Sequence, residues 1–223
     1  MAFLTLTTKD VKEFTDSGSG GACINNTGIY PILIKWVEVE TKNVDGKQIQ
    51  SLNIRYQRED TKGEGYLFNI RLQKNNGEEH FQMNLIRNLM YLCKLKEIKD
   101  PVSTTVKLKN SSKEVMVLTD FCDKKVNVFC VAEYSRYNNK VYKKIIPYQF
   151  YDMVNNATAY ELASKDESKY GFRYSLDVKK DSPDLRDGVS LDDVKDYENQ
   201  FRNQTSTTNT PTQVVVEDDE IPF

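Results

Sequence analysis

Between residues 29 and 74 apolar and polar side chains alternate with a period of two, the spacing of a sheet that is dry on one face and wet on the other. In residues 48–58, Leu52, Ile54 and Tyr56 alternate with Ser51, Asn53, Arg55 and Gln57. Residues 66–74 repeat the pattern, which predicts Tyr66, Phe68, Ile70 and Leu72 on one face and Asn69, Arg71 and Gln73 on the other. Tyr56, Tyr66 and Phe68 are in phase with the leucines and isoleucines and are therefore expected in the core. Upstream, residues 29–41 read as a long first strand in which Ile32, Ile34 and Trp36 share a face opposite Leu33, Lys35, Val37 and Val39, and Asp45-Gly46 supplies the turn that follows.

The period changes once. Leu85, Leu89 and Leu92 recur at helical spacing through residues 81–98, and Pro101 ends the run. Strand patterns return at residues 104–109, 115–119 and 125–134, the last continuing through Asn138-Asn139 into 140–146. Strands, one interposed helix and strands again predict a mainly β fold, an OB-fold-like Greek-key barrel over residues 22–164, where a sandwich has no place for the helix. Residues 1–21, with their Ser-Gly run, read as a flexible lead. After a short helix at 158–163 the chain turns polar and acidic, and residues 165–213 read as a linker. One island interrupts it near 191–202. There Ser190 and Asp193 resemble a capping box, and Leu191, Val194, Tyr197 and Phe201 line one helical face expected to dock on the barrel.

The near-neutral total hides a division of charge. Residues 1–150 carry 23 Lys and Arg against 17 Asp and Glu, whereas residues 151–223 carry 8 against 16. A basic body with an acidic arm suits a polyanion ligand. Cys23, Cys93, Cys122 and Cys130 lack metal or disulfide spacing and read as reduced, mostly buried thiols. No apolar run approaches membrane-spanning length and the first residues lack a signal-peptide pattern, so a cytoplasmic location without membrane contact is expected.

The chain closes on Val214-Val-Val-Glu-Asp-Asp-Glu-Ile-Pro-Phe223. Four carboxylates, Glu217, Asp218, Asp219 and Glu220, precede Ile221, Pro222 and the terminal aromatic Phe223, whose own α-carboxylate adds a charge. A ring beside a fixed carboxylate, stiffened by proline, makes a compact anchor for an apolar pocket with a basic rim. Residues 218–223 resemble the acidic tip of bacterial and phage single-stranded DNA-binding proteins, with Glu220 where the usual bacterial pattern has a third Asp. The body is longer than the usual bacterial core and the linker lacks its Gly, Gln and Pro richness, which fits a divergent, phage-encoded member acting in a bacterial host cytoplasm. The resemblance implies sequence-tolerant coating of single-stranded DNA in replication, recombination and repair, and recruitment of replication and repair proteins by the tip.

Such binders pair cations along the phosphates with rings on which bases stack. One stretch combines both densely: Tyr134, Arg136, Tyr137, Lys140, Tyr142, Lys143 and Lys144 surround the predicted hairpin turn. Arg55 and Arg71 come next, as a basic floor on the wet face of their strands. Lys35 with Trp36 forms a weaker pair, core packing being favoured for the indole. Asp120, Asp123 and Glu133, the nearest approach to a metal-holding acidic set, are explained by turn and surface roles. His80, the single histidine, excludes a multi-histidine centre, and no phosphate-binding P-loop is present. The residues thus point to a binding protein with no cofactor and no catalytic or metal site. The alternatives are an adaptor whose barrel binds protein, and a metal-dependent nuclease.

Overall fold

The computed structural model describes residues 14–15, 22–44, 46–107 and 112–205. The expected flexible lead, apart from residues 14–15, the turn residue Asp45, the end of the strand at 108–109, the tether from 206 and the whole acidic tip lie outside the described residues.

Nine strands join in one sheet, mainly antiparallel: β1 Phe14–Thr15, β2 Gly28–Val44, β3 Lys47–Arg58, β4 Glu64–Arg71, β5 Val102–Lys107, β6 Ser112–Leu118, β7 Lys125–Tyr137, β8 Lys140–Tyr151 and β9 Asp184–Leu185. Only the two-residue strands pair in parallel, β1 with β5 and β9 with β7. β2 is the organising strand. On one side it pairs with β3, and on the other its first half pairs with β7 while its second half pairs with β6. β8 returns beside β4, but no described hydrogen bond closes the sheet between them.

The main core forms on one face, from Ile32, Ile34, Val37, Leu52, Ile54, Tyr56, Leu67 and Ile70, with Val126, Val128 and Phe150 from β7 and β8. Helix α1, Met83–Leu92, closes it with Leu85, Ile86 and Leu89. α1 is shorter than the 81–98 expected from periodicity, because Cys93 caps it and Lys94 adopts a positive φ of 58° that cannot continue a helix. All four cysteines are free thiols, and burial pushes the Cys93 thiol up to about 12.

Two bulges correct the phase read from the sequence. Ile34 pairs with Tyr56 and Trp36 with Arg55, so Lys35 is an extra residue in β2. Leu52 pairs with Ile70 and Ile54 with Leu67, so two β4 residues, Phe68 and Asn69, stand opposite Asn53. Asn69 takes a positive φ of 55°, and its N–H donates to Asn53 Oδ1 at 2.8 Å. An extra residue inverts the alternation beyond it. Ile34 and Val37 therefore face the core together while Trp36 points the other way. Leu67 and Ile70 likewise face the core, and Tyr66 and Phe68, expected there, do not.

The stretch expected to be a linker carries ordered elements. α2, Ala159–Ser164, starts at a Thr158–Glu161 capping box, and a 3-10 turn at Glu167–Lys169 leads to α3, Phe172–Asp177. Asp177 is fully buried and accepts hydrogen bonds from Tyr151 Oη at 2.6 Å, Arg173 Nε at 2.7 Å and Lys180 Nζ at 2.6 Å. α4, Leu191–Thr205, docks through part of the expected face: Val194 and Tyr197 pack against Ala132, Tyr134 and Val189, whereas Leu191 is exposed and the Phe201 side chain lies outside the described residues. Tyr151 pairs with Asn127, so α3 sits on the face opposite the main core, whereas Ala132 and Tyr134 continue the core face. Residues 165–205 thus wrap the edge of β7, with β9 along that edge and α3 and α4 on opposite sides.

Burial alone would raise the Asp177 carboxyl, but hydrogen bonds from Lys180, Tyr151 and Arg173 outweigh it and hold the carboxyl below the usual range. A depressed folded-state pKa stabilises fully above the ordinary carboxylate value of about 4 and ceases to do so as the pH falls through the folded value. Asp177→Ala leaves the buried Tyr151 hydroxyl without its acceptor, a cost of about 1–3 kcal/mol. Hydrogen exchange is expected to show protection lost across residues 165–190 in this variant at neutral pH, and in the native chain only as the pH falls below the ordinary carboxylate range, with β2–β4 protection retained.

Candidate nucleic-acid interface

The face opposite the main core carries a row of cross-strand neighbours built by the two bulges. Arg55 stands between Trp36 on β2 and Tyr66 on β4, its guanidinium 5.8 Å from the indole centroid and 4.7 Å from the phenol centroid. Trp36 and Tyr66 meet edge to face at 6.3 Å. Phe68 then stacks on Tyr66, with centroids 5.0 Å apart and planes 19° from parallel. Exposure grades along the row, because the β5–β6 hairpin lays Val106, Val115 and Val117 over Trp36 and leaves the other end open. Trp36 is 1% exposed, Arg55 4% and Phe68 44%.

The core packing favoured for Trp36 holds, and the expectation for Arg55 is corrected. Trp36 is sealed beneath three valines, so it backs the face without stacking on a ligand. Arg55 is no solvent-facing floor: it is spent on Glu64 at 2.8 Å, with both side chains of the pair at most 5% exposed. The remaining carboxylates of this face are matched as well. Glu38 binds Lys113 Nζ at 2.9 Å, and Glu40 lies 3.7 Å from Lys42 and accepts from Asn53. Arg71, opposite Ser51, shares the face and is half-buried. Lys35, the bulge residue of β2, is half-buried beside the row.

The β7–β8 hairpin divides the densest predicted cluster in two. Tyr134, Arg136 and Lys143 lie on the core side, under α4, and do not present a binding surface. Tyr134, 3% exposed, donates to Glu198 Oε1, which also accepts from Lys143 Nζ, and Arg136 pairs with Asp193 at 2.7 Å. Burial first and the Glu198 contact second push the Tyr134 phenol upward, so it remains a neutral donor. Hydrogen bonds from Ser190 and then Arg136 hold the Asp193 carboxyl at about 2, which keeps the pair with Arg136 charged at neutral pH. Tyr137, Lys140, Tyr142 and Lys144 occupy the other side. They share the side of the sheet that carries Phe68, since β7 itself alternates from Lys125 to Tyr137, the register shift at Phe129/Cys130 placing its extra residue, Tyr148, in β8.

Periodicity missed Tyr66 and Phe68 because it assumed an unbroken strand. The signal available was Asn69, a residue tolerant of the left-handed backbone, inside an otherwise β-rich run. Among the described residues no group of three or more His, Cys, Asp or Glu is placed to hold a metal ion, and no helix is long and apolar enough to cross a membrane. No protein-family model matches the sequence, and no curated protein matches it significantly.

Arg55→Ala is expected to destabilise the fold by about 3–5 kcal/mol, because it strands the Glu64 carboxylate in a buried site. Urea unfolding measures it, and a loss below about 1 kcal/mol contradicts a structural role for this pair.

Proposed function

We propose that the protein binds single-stranded DNA without sequence specificity on the open face of β2–β4. The observation that carries this reading is the exposed Phe68 ring stacked on Tyr66, itself held over the Arg55 guanidinium. A flat ring fixed from behind offers a base a π-face at little entropic cost, and every base has a face to offer in return. Tyr142 and Tyr137, with Lys140 and Lys144, add rings and cations on the same side of the sheet. The cation surplus of residues 1–150 supports phosphate contact.

The OB-fold reading belongs to this proposal. The strand order β4–β3–β2–β7–β8, with β8 returning beside β4 and α1 inserted after the third strand of the order of appearance β2, β3, β4, fits an open variant of that barrel into which the β5–β6 hairpin is inserted. In such barrels the ligand face includes the second and third strands, here β3 and β4. We assign the tip, residues 217–223, the recruitment of replication and repair proteins, on the chemistry of its carboxylates and terminal ring.

Phe68→Ala is expected to weaken binding of oligo-dT by about 1–3 kcal/mol with little loss of stability, because the ring is half exposed. A titration at two salt concentrations separates the terms: Phe68→Ala shifts both curves equally, whereas neutralising Lys140 and Lys144 together reduces the salt slope. Unchanged affinity in both variants, or equal affinity for duplex, contradicts the reading. Removing residues 217–223 is expected to abolish capture of partner proteins while oligo-dT binding persists.

A further inference from the structure

Past Arg71 the chain turns back at Asn76-Gly77, and Gln73 bridges Glu79 on the return. The His80 N–H donates to the Leu72 carbonyl at 2.9 Å. Leu72 N–H is directed to Gln50 of β3, so the Arg71 N–H faces the opposite edge of β4, where it donates to Gln82 Oε1 at 2.9 Å. Residues 80–82 are thereby pinned along the outer edge of β4, just before α1. On this fixed segment Phe81 is 76% exposed, more so than Phe68. The half-buried His80 ring lies against it, with centroids 4.4 Å apart and planes 37° from parallel. His80 Nδ1 accepts from the Gln82 N–H at 3.3 Å, which requires the neutral imidazole. Burial first, then the nearby Arg71 and Lys74, hold the His80 pKa below its usual range, in keeping with that neutral ring.

The pair repeats the construction of the Phe68 platform, an exposed ring backed by a less exposed one on backbone that hydrogen bonds hold in place. It is also continuous with that platform. Arg71 shares the face of Phe68, about 10 Å further along β4, and is the cation that acts most on the His80 ring. The charges beyond it are balanced, since Lys74 pairs with Glu78 at 3.2 Å and Arg87 with Glu79 at 2.6 Å. What the segment adds is therefore ring surface, which suits a base and not a phosphate. We infer that Phe81, backed by His80, is a second base-stacking platform for the same DNA strand, which passes from Phe68 by Arg71 over the outer edge of β4, an extension that rests on the reading of the Phe68 face as the DNA site. A strand held at two prepared rings gains contact without ordering a flexible loop on binding.

Titrations of the full chain with labelled oligo-dT of about 16 nucleotides test this. Phe81→Ala is expected to weaken binding about tenfold, the size of one stacking contact, with the salt slope unchanged. The loss is expected to vanish when the strand carries abasic sugar-phosphates in place of its bases. Trp36, the single tryptophan, is 1% exposed, so the native emission is that of a sealed indole. In Phe81→Trp the added emission is expected to be quenched by oligo-dT, with the same midpoint as binding. Circular dichroism verifies that these substitutions of an exposed ring leave the fold intact. If the native chain binds oligo-dT but Phe81→Ala binds it equally, as a surface reserved for a protein partner requires, the extension is overturned while the Phe68 reading stands. The same holds if the abasic strand shows the same loss, or if oligo-dT leaves the Phe81→Trp emission unchanged. A native chain that does not bind oligo-dT overturns both.

Discussion

Two extra residues in the β2–β4 part of the sheet, one at Lys35 in β2 and one at Phe68–Asn69 in β4, determine what each face of these three strands presents. A strand without a bulge must put every second residue on the same side. Here the inversion lets Ile34 and Val37 enter the core together and turns Trp36 outward, and it does the same for Leu67 and Ile70 against Phe68. Since β3 alternates regularly between them, Arg55 falls directly between Trp36 and Tyr66. The aromatic row depends on both bulges, for losing either would return one of its rings to the core phase.

In the function proposed above, the row couples stability and ligand chemistry. Its inner end is a second small core, capped by Val106, Val115 and Val117, in which the Arg55–Glu64 pair is sheltered from water. Its outer end, Phe68, is held in a stacked geometry by that core and remains exposed. A platform prepared in this way loses little conformational freedom on binding, which is how a few rings provide useful affinity without base-specific contacts. The hairpin contributes its Tyr137 and Tyr142 side, while α4 occupies the Tyr134 side with Glu198 and Asp193. The acidic second half of the chain thus neutralises part of the basic first half.

Much of this architecture was legible in the sequence. The eight main elements from β2 to β8, α1 included, follow from period-two and helical spacing, and the docked α4 follows from Ser190, Asp193 and its apolar face. The side assignments of Trp36, Tyr66 and Phe68 were not legible, because a bulge changes direction without changing composition. Lys35 carries no sign of its role at all. Residues 165–190 escaped for another reason. They are ordered by the buried carboxylates Asp177 and Glu161, which gather hydroxyl, cationic and backbone donors, and a polar stretch organised by acids looks like a linker when only apolar burial is counted. The split of the Tyr134–Lys144 cluster by α4 is tertiary and has no local signal.

The central claim, that the face built by the two bulges is the single-strand platform, is tested most directly by ultraviolet crosslinking of oligo-dT to the native protein, with the crosslinked residues identified by mass spectrometry. The account predicts that the principal crosslink maps to Phe68 or Tyr66 on β4, with secondary sites at Tyr137 or Tyr142. Crosslinks confined to the hairpin and the α3 region, with none on β4, would contradict it.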